Sequence, residues 1–135
     1  ADIDFGVYRN MITTTNNGNT TITYDYYLYT PIANPNPLTV YDISSWTTKR
    51  AVYFGTTSTN QTANFRTSLL VSSSLIEAEA KKKTFNLTKS SAKLATGNLI
   101  YFKTPEGKYG CVHINAITKD IEGKPYVDIS VKVQK

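Results

Sequence analysis

Residues Asn98–Lys135 read NLIYFKTPEGKYGCVHINAITKDIEGKPYVDISVKVQK and give the clearest strand and turn pattern in the sequence. Two turn sequences interrupt it, Pro105-Glu106-Gly107 and Asp120-Ile121-Glu122-Gly123, and each ends in a glycine that can adopt a left-handed conformation. The segments beside the turns are apolar or alternate between apolar and polar residues, as β-strands do. The stretch therefore predicts an antiparallel meander of three strands, at Asn98–Thr104, Lys108–Thr118 and Lys124–Gln134.

The last strand of the meander alternates cleanly along its length. Its apolar residues Val127, Ile129, Val131 and Val133 fall on one face and its polar residues on the other, which is typical of a strand with one buried face. We therefore expect this face to pack against the core. An aspartate at Val131 would then place an unpaired charge in the core, so Val131→Asp is expected to be severely destabilising.

The first part of the chain predicts a second pair of strands. Residues Asp2–Tyr8 and Thr21–Tyr29 alternate in the same way, and we expect them to form an antiparallel hairpin. Between them, Arg9–Thr20 is rich in Thr and Asn and contains Asn17-Gly18, so it is predicted to be a loop or a hairpin tip. The following Thr30–Thr39 contains three prolines and is predicted to be a surface loop.

The middle of the chain holds the helix signals. Ser74-Leu75-Ile76-Glu77 has the form of a capping box, and Lys81–Lys83 follow where a helix dipole favours positive charge. Thr88–Thr96 is a second helix candidate, closed by Gly97 as a left-handed C-cap residue. Together with the strands, these signals predict an α+β fold in a single domain, residues 1–135. We expect a mainly antiparallel sheet with one or two short helices packed on one face.

The composition favours a location outside the cytoplasm. Thr, Asn and Ser are abundant, charged residues make up only 19% of the chain and tyrosine occurs ten times. The single cysteine, Cys111, excludes a disulfide within the chain. The net charge of +5 lies entirely in residues 68–135. Lysines are scattered there without arginine clusters, which is typical of a solvated face rather than of a nucleic-acid site.

Few residues of this sequence are suited to catalysis or metal binding. His113 is the only histidine and follows Cys111 by two residues, so both side chains fall on the less apolar face of one predicted strand. The opposite face of this strand carries the apolar residues Val112, Ile114 and Ala116, so we expect His113 to be a half-exposed strand residue. A Cys–His catalytic pair normally comes from separate elements that converge on a cleft, which disfavours such a pair here. Asp2 and Asp4 share a face of the first strand, but strands often carry acids simply because that face is wet. No nucleotide-binding or metal-binding motif is present, so the sequence predicts no catalytic residue, no metal site and no cofactor.

Aromatic residues are the most suggestive candidates for a ligand surface. Seven of the ten tyrosines lie in residues 1–53, together with the only tryptophan. Tyr27 and Tyr29 share a strand face next to the proline-containing loop, and Tyr41 and Trp46 follow that loop. Tyr and Trp offer flat contact area with a polar tip, which suits stacking on sugars or gripping a protein partner. The alternative is that tyrosines simply fill half-buried faces of the sheet. Nucleic acid is not an expected partner, because the lysines lie in the other half of the chain.

The segments GNLIYFKTPEGKYG, residues 97–110, and VKVQK, residues 131–135, carry a resemblance to known proteins. They resemble the C-terminal part of small secreted or lipid-anchored surface proteins of the Bacteroidetes. In those proteins a G-x-h-h-x-F-K-T-x-x-G-K-Y-G hairpin (h, apolar) precedes an apolar strand. The opening residues 1–6, ADIDFG, are also similar. The resemblance implies a location at the cell surface or in the periplasm, membrane attachment through a lipid anchor outside this sequence, and no catalytic activity.

A related hairpin occurs in the HmuY-like haem-binding lipoproteins, which hold haem iron with two side chains. That more distant similarity implies His113 as one ligand, with Met11 as the soft ligand available for the second position; haem needs axial ligands on facing elements. The leading hypothesis is a non-catalytic extracytoplasmic binding or structural module for a glycan or a surface protein. The alternatives are a carrier of haem or another small ligand using His113, and an enzyme using Asp2, Asp4, Cys111 or His113 in a cleft.

Overall fold

The structure, a computed structural model, describes residues 3–33, 43–70, 72–87 and 91–135. Seven strands, two α-helices and one short 3-10 helix make up its regular elements. In chain order they are β1 (Gly6–Asn16), β2 (Asn19–Tyr29), β3 (Tyr53–Gly55), α1 (Thr62–Arg66), the 3-10 helix (Ser68–Leu70), α2 (Ser73–Ala80), β4 (Phe85–Leu87), β5 (Leu99–Lys103), β6 (Tyr109–Lys119) and β7 (Pro125–Val133).

The strands form two antiparallel sheets. Strands β1 and β2 make a two-stranded hairpin, and the other five make a sheet in the order β4-β3-β5-β6-β7. The predicted meander is confirmed as β5, β6 and β7, with each strand boundary within a few residues of its predicted position. The turns at Gly107 and Gly123 have positive φ angles of 81° and 77°, as the turn sequences predict.

The five-stranded sheet is covered on both faces near its centre. On one face, the base of the hairpin contributes Tyr26 and Leu28 to a core cluster. On the other face, both α-helices and the 3-10 helix contribute a second cluster that includes Phe65 and Ile76. The fold is therefore α+β, a mainly antiparallel sheet with two short α-helices packed on one face, as predicted.

Strand β5 does not alternate between apolar and polar residues, because other layers of the fold cover both of its faces. Residues Leu99 to Phe102 are all buried, because odd residues face the helices and even residues face the hairpin base. Strand β6 behaves in the same way at its centre, and Cys111 and His113 are 0% and 1% exposed. The expectation that His113 is half-exposed is therefore wrong. A strand that is covered on both faces buries its less apolar side as well.

The edge strand β7 is more exposed at its end than its alternating sequence predicts. Val127 and Ile129 pack against the core cluster under the hairpin base, as the alternation predicts. Val131 and Val133 lie on the same face but are 44% and 45% exposed, since the hairpin base does not extend over them. The expectation that Val131 is buried in the core is therefore wrong. A carboxylate at this position would remain in contact with water, so the reason for a severe effect of Val131→Asp no longer holds.

The hairpin is longer than its sequence suggested. The stretch Arg9–Thr20, predicted to be a loop or a hairpin tip, is the tip of the hairpin and is strand except for the two-residue turn Asn17-Gly18. Both turn residues have positive φ angles, 49° and 79°, the geometry of a tight hairpin turn that matches strand twist. The first strand begins at Gly6 rather than Asp2, and Phe5 packs against the core ahead of it.

The helix predictions were partly right. Helix α2 overlaps the predicted capping box, but its N-cap is Ser72, whose hydroxyl accepts from the backbone N–H of Ser74 at 3.2 Å. The second predicted helix is wrong over residues 91–96, which have no helical structure; residues 88–90 lie outside the described part. Instead, Ser91 and Leu94 donate backbone hydrogen bonds to the outer edge of β2. In the described part of the chain, none of the helices has the length and apolar character needed to cross a membrane.

Candidate functional site

Three tyrosines gather on one face of the hairpin base. The hairpin register places Tyr8 directly opposite Tyr27 and Gly6 directly opposite Tyr29. The rings of Tyr8 and Tyr27 are stacked, with centroids 5.2 Å apart, and the ring of Tyr29 meets that of Tyr8 edge-on at 6.0 Å. All three side chains are half-buried. We call Tyr8, Tyr27 and Tyr29 the tyrosine cluster; aromatic pairs in these two geometries attract one another.

Gly6 makes room for the cluster. A Cβ atom at Gly6 would lie 2.4 Å from the ring of Tyr29, closer than real contacts allow, so the Tyr29 ring covers the backbone of β1 at this position. Partial burial raises the pKa of the Tyr29 hydroxyl, which therefore stays protonated at neutral pH. A protonated phenol can donate as well as accept a hydrogen bond.

A charged pair borders the tyrosine cluster. Asp25 lies two residues before Tyr27 and so on the same strand face, and its carboxylate meets the Lys93 ammonium at 2.5 Å. The hydrogen bond to Asp25 raises the pKa of Lys93, which remains charged. The resulting surface places aromatic rings beside a carboxylate acceptor and an ammonium donor. This combination can stack on an apolar ring face and hydrogen-bond to hydroxyl groups.

The predicted ligand residues are placed as follows. The structure brings Tyr27 and Tyr29 together, as the shared strand face predicted. Trp46 is half-buried in a turn closed by its backbone N–H, which donates to the carbonyl of Ile43 at 3.1 Å. Tyr41 lies outside the described residues. The sequence reasoning missed Tyr8, although Asn17-Gly18 as a two-residue turn would have paired Tyr8 with Tyr27 by counting back equally along both strands.

His113 takes part in a buried hydrogen-bond network. Its Nε2 atom lies 3.0 Å from the Thr62 hydroxyl, and its Nδ1 atom lies 2.8 Å from the Asn115 side-chain oxygen. Its ring stacks on the Phe65 ring with centroids 4.9 Å apart. The Lys132 ammonium lies over the Phe65 ring, 3.8 Å from its centroid. Both ring nitrogens therefore have partners, and the histidine joins α1 to the sheet.

The other residues considered for catalysis are also engaged or buried. Burial raises the pKa of the Cys111 thiol to about 11, so the sulfur is protonated at neutral pH and is a poor nucleophile. Asp4 forms an ion pair with Arg50, and Asp2 lies outside the described residues. Within residues 3–33, 43–70, 72–87 and 91–135, no group of three or more His, Cys, Asp and Glu side chains is arranged to hold a metal ion.

A second surface feature is a wide cleft of about 610 Å3 at the end of the five-stranded sheet. Tyr53 and Phe85 form part of its apolar lining, and Lys103 and Glu106 add charged groups. Glu106 accepts a hydrogen bond from Arg50 at 2.7 Å, and the same guanidinium holds Asp4. The hydrogen bond from Arg50 is the main reason why the pKa of Glu106 is lowered to about 2. This ion-pair network connects the start of the chain to the β5–β6 turn.

The lowered pKa of Glu106 predicts an acid dependence of stability. A carboxyl group with a depressed folded-state pKa stabilises the fold above its ordinary pKa of 4.5, and this contribution disappears as the pH falls towards about 2. We therefore expect Glu106→Gln to weaken the fall in thermal midpoint between pH 4.5 and pH 2, measured by circular dichroism. Glu122→Gln, in the other turn of the meander, is the matched control. Equal acid profiles for wild type and Glu106→Gln would contradict the assignment.

The chain was compared with known protein families, with curated proteins and with solved structures, and none of them matches.

Proposed function

We propose that this protein is a non-catalytic extracytoplasmic binding module that takes a glycan at the tyrosine cluster. The observation that carries the proposal is the stacked pair of Tyr8 and Tyr27, with Tyr29 edge-on beside them. The composition and the resemblance of residues 97–110 to bacterial surface proteins support a position at the cell surface or in the periplasm, with a lipid anchor outside this sequence.

The chemistry of the cluster suits a sugar. A pyranose ring has an apolar face of C–H groups and an equator of hydroxyls, so it needs flat aromatic surface with hydrogen-bonding groups at its border. The tyrosine hydroxyls supply donors and acceptors, and the Asp25–Lys93 pair supplies a carboxylate and an ammonium nearby. The rings are held by contacts with one another, so little side-chain entropy remains to be lost on binding.

The surroundings of the buried groups support a binding role over the two alternatives. Haem ligation needs a free imidazole nitrogen, whereas both nitrogens of His113 lie within hydrogen-bond distance of protein oxygens. A nucleophilic cysteine needs a lowered pKa, whereas burial raises that of Cys111. An enzyme or a haem carrier built on these two residues would first have to dismantle the packing between α1 and the sheet.

The proposal predicts that Tyr27→Ala loses glycan binding. Removing one partner of a stacked aromatic pair at the centre of a site typically costs about 2 kcal/mol, or roughly 30-fold in affinity. The measurement is a thermal-shift screen against a glycan panel, followed by calorimetric titration of the best ligand. Tyr53→Ala is the matched control, because Tyr53 is 37% exposed and lines the cleft of about 610 Å3 rather than the tyrosine cluster.

Two outcomes would count against the tyrosine cluster. If Tyr53→Ala loses binding while Tyr27→Ala keeps it, the ligand site is the cleft of about 610 Å3. If Tyr27→Ala unfolds the domain, the cluster is part of the core and the proposed surface is wrong. Trp46→Ala, measured in the same titration, tests whether the predicted tryptophan belongs to the same surface.

A further inference from the structure

The hairpin projects beyond the body of the protein. Its base packs on the sheet through Tyr26 and Leu28, which are 8% and 0% exposed. Beyond the base, every residue from Thr13 to Tyr24 is exposed, and Met11 is 59% exposed. We call residues Asn10–Tyr24 the hairpin arm. The two strands bond to each other along its whole length, so its remaining hydrogen-bonding capacity lies on the outer edges.

The outer edge of β1 is open. Leu28 and Tyr26 of β2 direct their backbone groups outwards, since they bond to Ser91 and Leu94. In an antiparallel pair, residues whose backbone N–H and C=O groups point towards the partner strand alternate with residues whose groups point away from it. The residues of β1 directly opposite the outward-pointing residues of β2 therefore also point their backbone groups outwards. These five residues are Val7, Arg9, Met11, Thr13 and Thr15. In the part of the chain that the structure describes, none of them makes a backbone hydrogen bond on this edge.

The arm lacks the devices that normally protect an open edge. No charged residue and no proline occurs in residues 10–24, and Thr, Ile and Tyr give the arm high β-propensity. The edges of the five-stranded sheet differ: β7 begins with Pro125 and carries Lys132, and β4 is only three residues long. Arg9, at the base of the hairpin, is the one charged residue among the five open-edge residues of β1. The rest of this edge is exposed and uncharged, and such an edge is a template for another strand.

The charge distribution indicates what that strand is. Each copy of the chain carries a net charge of +5, all of it in residues 68–135, so two copies repel one another where these parts of their surfaces meet. The uncharged arm is a long exposed surface on which two copies can approach without placing like charges together. We infer that two copies of this chain pair edge to edge through β1, antiparallel and centred on Met11, to form a four-stranded sheet across a two-fold axis.

In this register, the outward-pointing backbone N–H and C=O groups of all five residues find hydrogen-bond partners on the second copy. Met11 pairs with Met11 of the second copy, Thr13 with Arg9, and Thr15 with Val7. The two Arg9 residues are then four residues apart along the strands, about 13 Å, which exceeds the screening length of about 8 Å at physiological salt. No two like charges lie opposite each other in the pairing.

A cleft on the body of the protein fits the second arm. It has a volume of about 260 Å3 and lies between β1 and β7, lined by Val7 and Arg9 on one side and by Tyr126 and Val127 on the other. In the Met11-centred register, Thr13 and Thr15 of the second copy lie beside Arg9 and Val7, and therefore at this cleft. Tyr126, which is 45% exposed, would be covered by the arm of the second copy.

The first test measures self-association by sedimentation equilibrium. A single added strand pair makes a small interface, so we expect a dissociation constant in the micromolar range, sampled from about 1 to about 500 μM protein. Thr13→Lys faces Arg9 of the second copy and should weaken the dimer at least tenfold, whereas Thr13→Glu should strengthen it. Thr20→Glu changes the net charge by the same amount as Thr13→Glu, but Thr20 lies on β2, so this variant should dimerise like wild type.

The second test locates the two-fold axis by cross-linking. Met11→Cys places two thiols opposite each other, with Cα atoms about 5.5 Å apart, within the range of a disulfide. Tyr24→Cys is the matched control. Tyr24 lies opposite Met11 on β2, so its thiol is about 14 Å from that of the second copy. The native Cys111 is 0% exposed and does not compete.

The outcomes decide the proposal. A concentration-dependent dimer, with a covalent dimer formed by Met11→Cys and not by Tyr24→Cys, supports it. A monomer at every concentration, a dimer unaffected by Thr13→Lys, or cross-linking by Tyr24→Cys alone would overturn it. Circular dichroism checks that each variant is folded, which we expect because the substituted positions of the arm are exposed. The readout is independent of glycan binding, so the two proposals can fail separately.

Discussion

Replacing Phe102 by alanine is expected to destabilise the domain by about 3–5 kcal/mol, the usual cost of emptying a buried phenylalanine site. Phe102 is fully buried in the cluster under the hairpin base, and its ring meets that of Phe5 edge-on at 5.2 Å. It also lies in the register between Phe54 and Gly110, on the two neighbouring strands. The measurement is equilibrium unfolding in urea.

Tyr126→Ala is the control for this prediction, because Tyr126 is an aromatic strand residue that is 45% exposed. We expect it to cost no more than about 1 kcal/mol in the isolated monomer, as surface substitutions usually do. A loss below 1 kcal/mol for Phe102→Ala would contradict the core assignment. It would mean that the hairpin base does not close over the sheet.

Gly110 gives a second and independent check on the same site. A Cβ atom at Gly110 would lie 2.2 Å from the Phe102 ring, so Gly110→Ala should itself cost about 1–3 kcal/mol or more through overpacking. In the Phe102→Ala background the obstructing ring is gone, and the same substitution should cost much less. Additive costs in the double variant would show that the Phe102 ring does not lie over Gly110.

Replacing His113 by alanine is expected to cost about 2–4 kcal/mol. The change removes a buried ring stacked on Phe65, and the Thr62 hydroxyl and the Asn115 side-chain oxygen lose their contacts with the imidazole. Urea unfolding measures the loss. The matched variant His113→Phe keeps an aromatic ring against Phe65 but makes no hydrogen bonds, so it separates the polar contribution from the packing contribution.

A haemin titration of the same variants tests the leading alternative function. If His113 only joins α1 to the sheet, wild type should give no Soret shift and His113→Ala should differ from it in stability alone. A His113→Ala protein as stable as wild type, together with a Soret band in wild type that the variant loses, would contradict the structural role. The imidazole would then be available to iron, and the haem carrier would become the better hypothesis.

The tyrosine cluster shows how far the sequence could predict the candidate site. Tyr27 and Tyr29 share a face because any strand places alternate residues together, so that prediction needed no partner strand. Tyr8 belongs to the cluster only through the register, which the Asn17-Gly18 turn sets. Arg9–Thr20 was predicted to be a loop or a hairpin tip from its Thr and Asn content and from Asn17-Gly18. The extent of the strands there could not be predicted, because the exposed arm has no buried face and therefore no apolar periodicity.

The burial of His113 could not be predicted from the local pattern. Alternation along β6 identifies Val112 and Ile114 as one face, but it does not show what packs on the other face. That depends on α1, which lies more than 40 residues away in the sequence and brings Phe65 and Thr62 to the imidazole. The same argument applies to Val131, whose face is the predicted one but has no cover at that end of the sheet.

The β5–β7 meander, the hairpin and the α+β class could be predicted from the sequence, because turn residues and the two-residue strand period are local properties of the chain. The burial of each strand face could not, since it depends on layers that come from distant segments. The same holds for the uncharged stretch from Asn10 to Tyr24, which projects in the folded protein as a paired arm with an open edge. An alternating strand looks the same in sequence whether a layer covers it or water does.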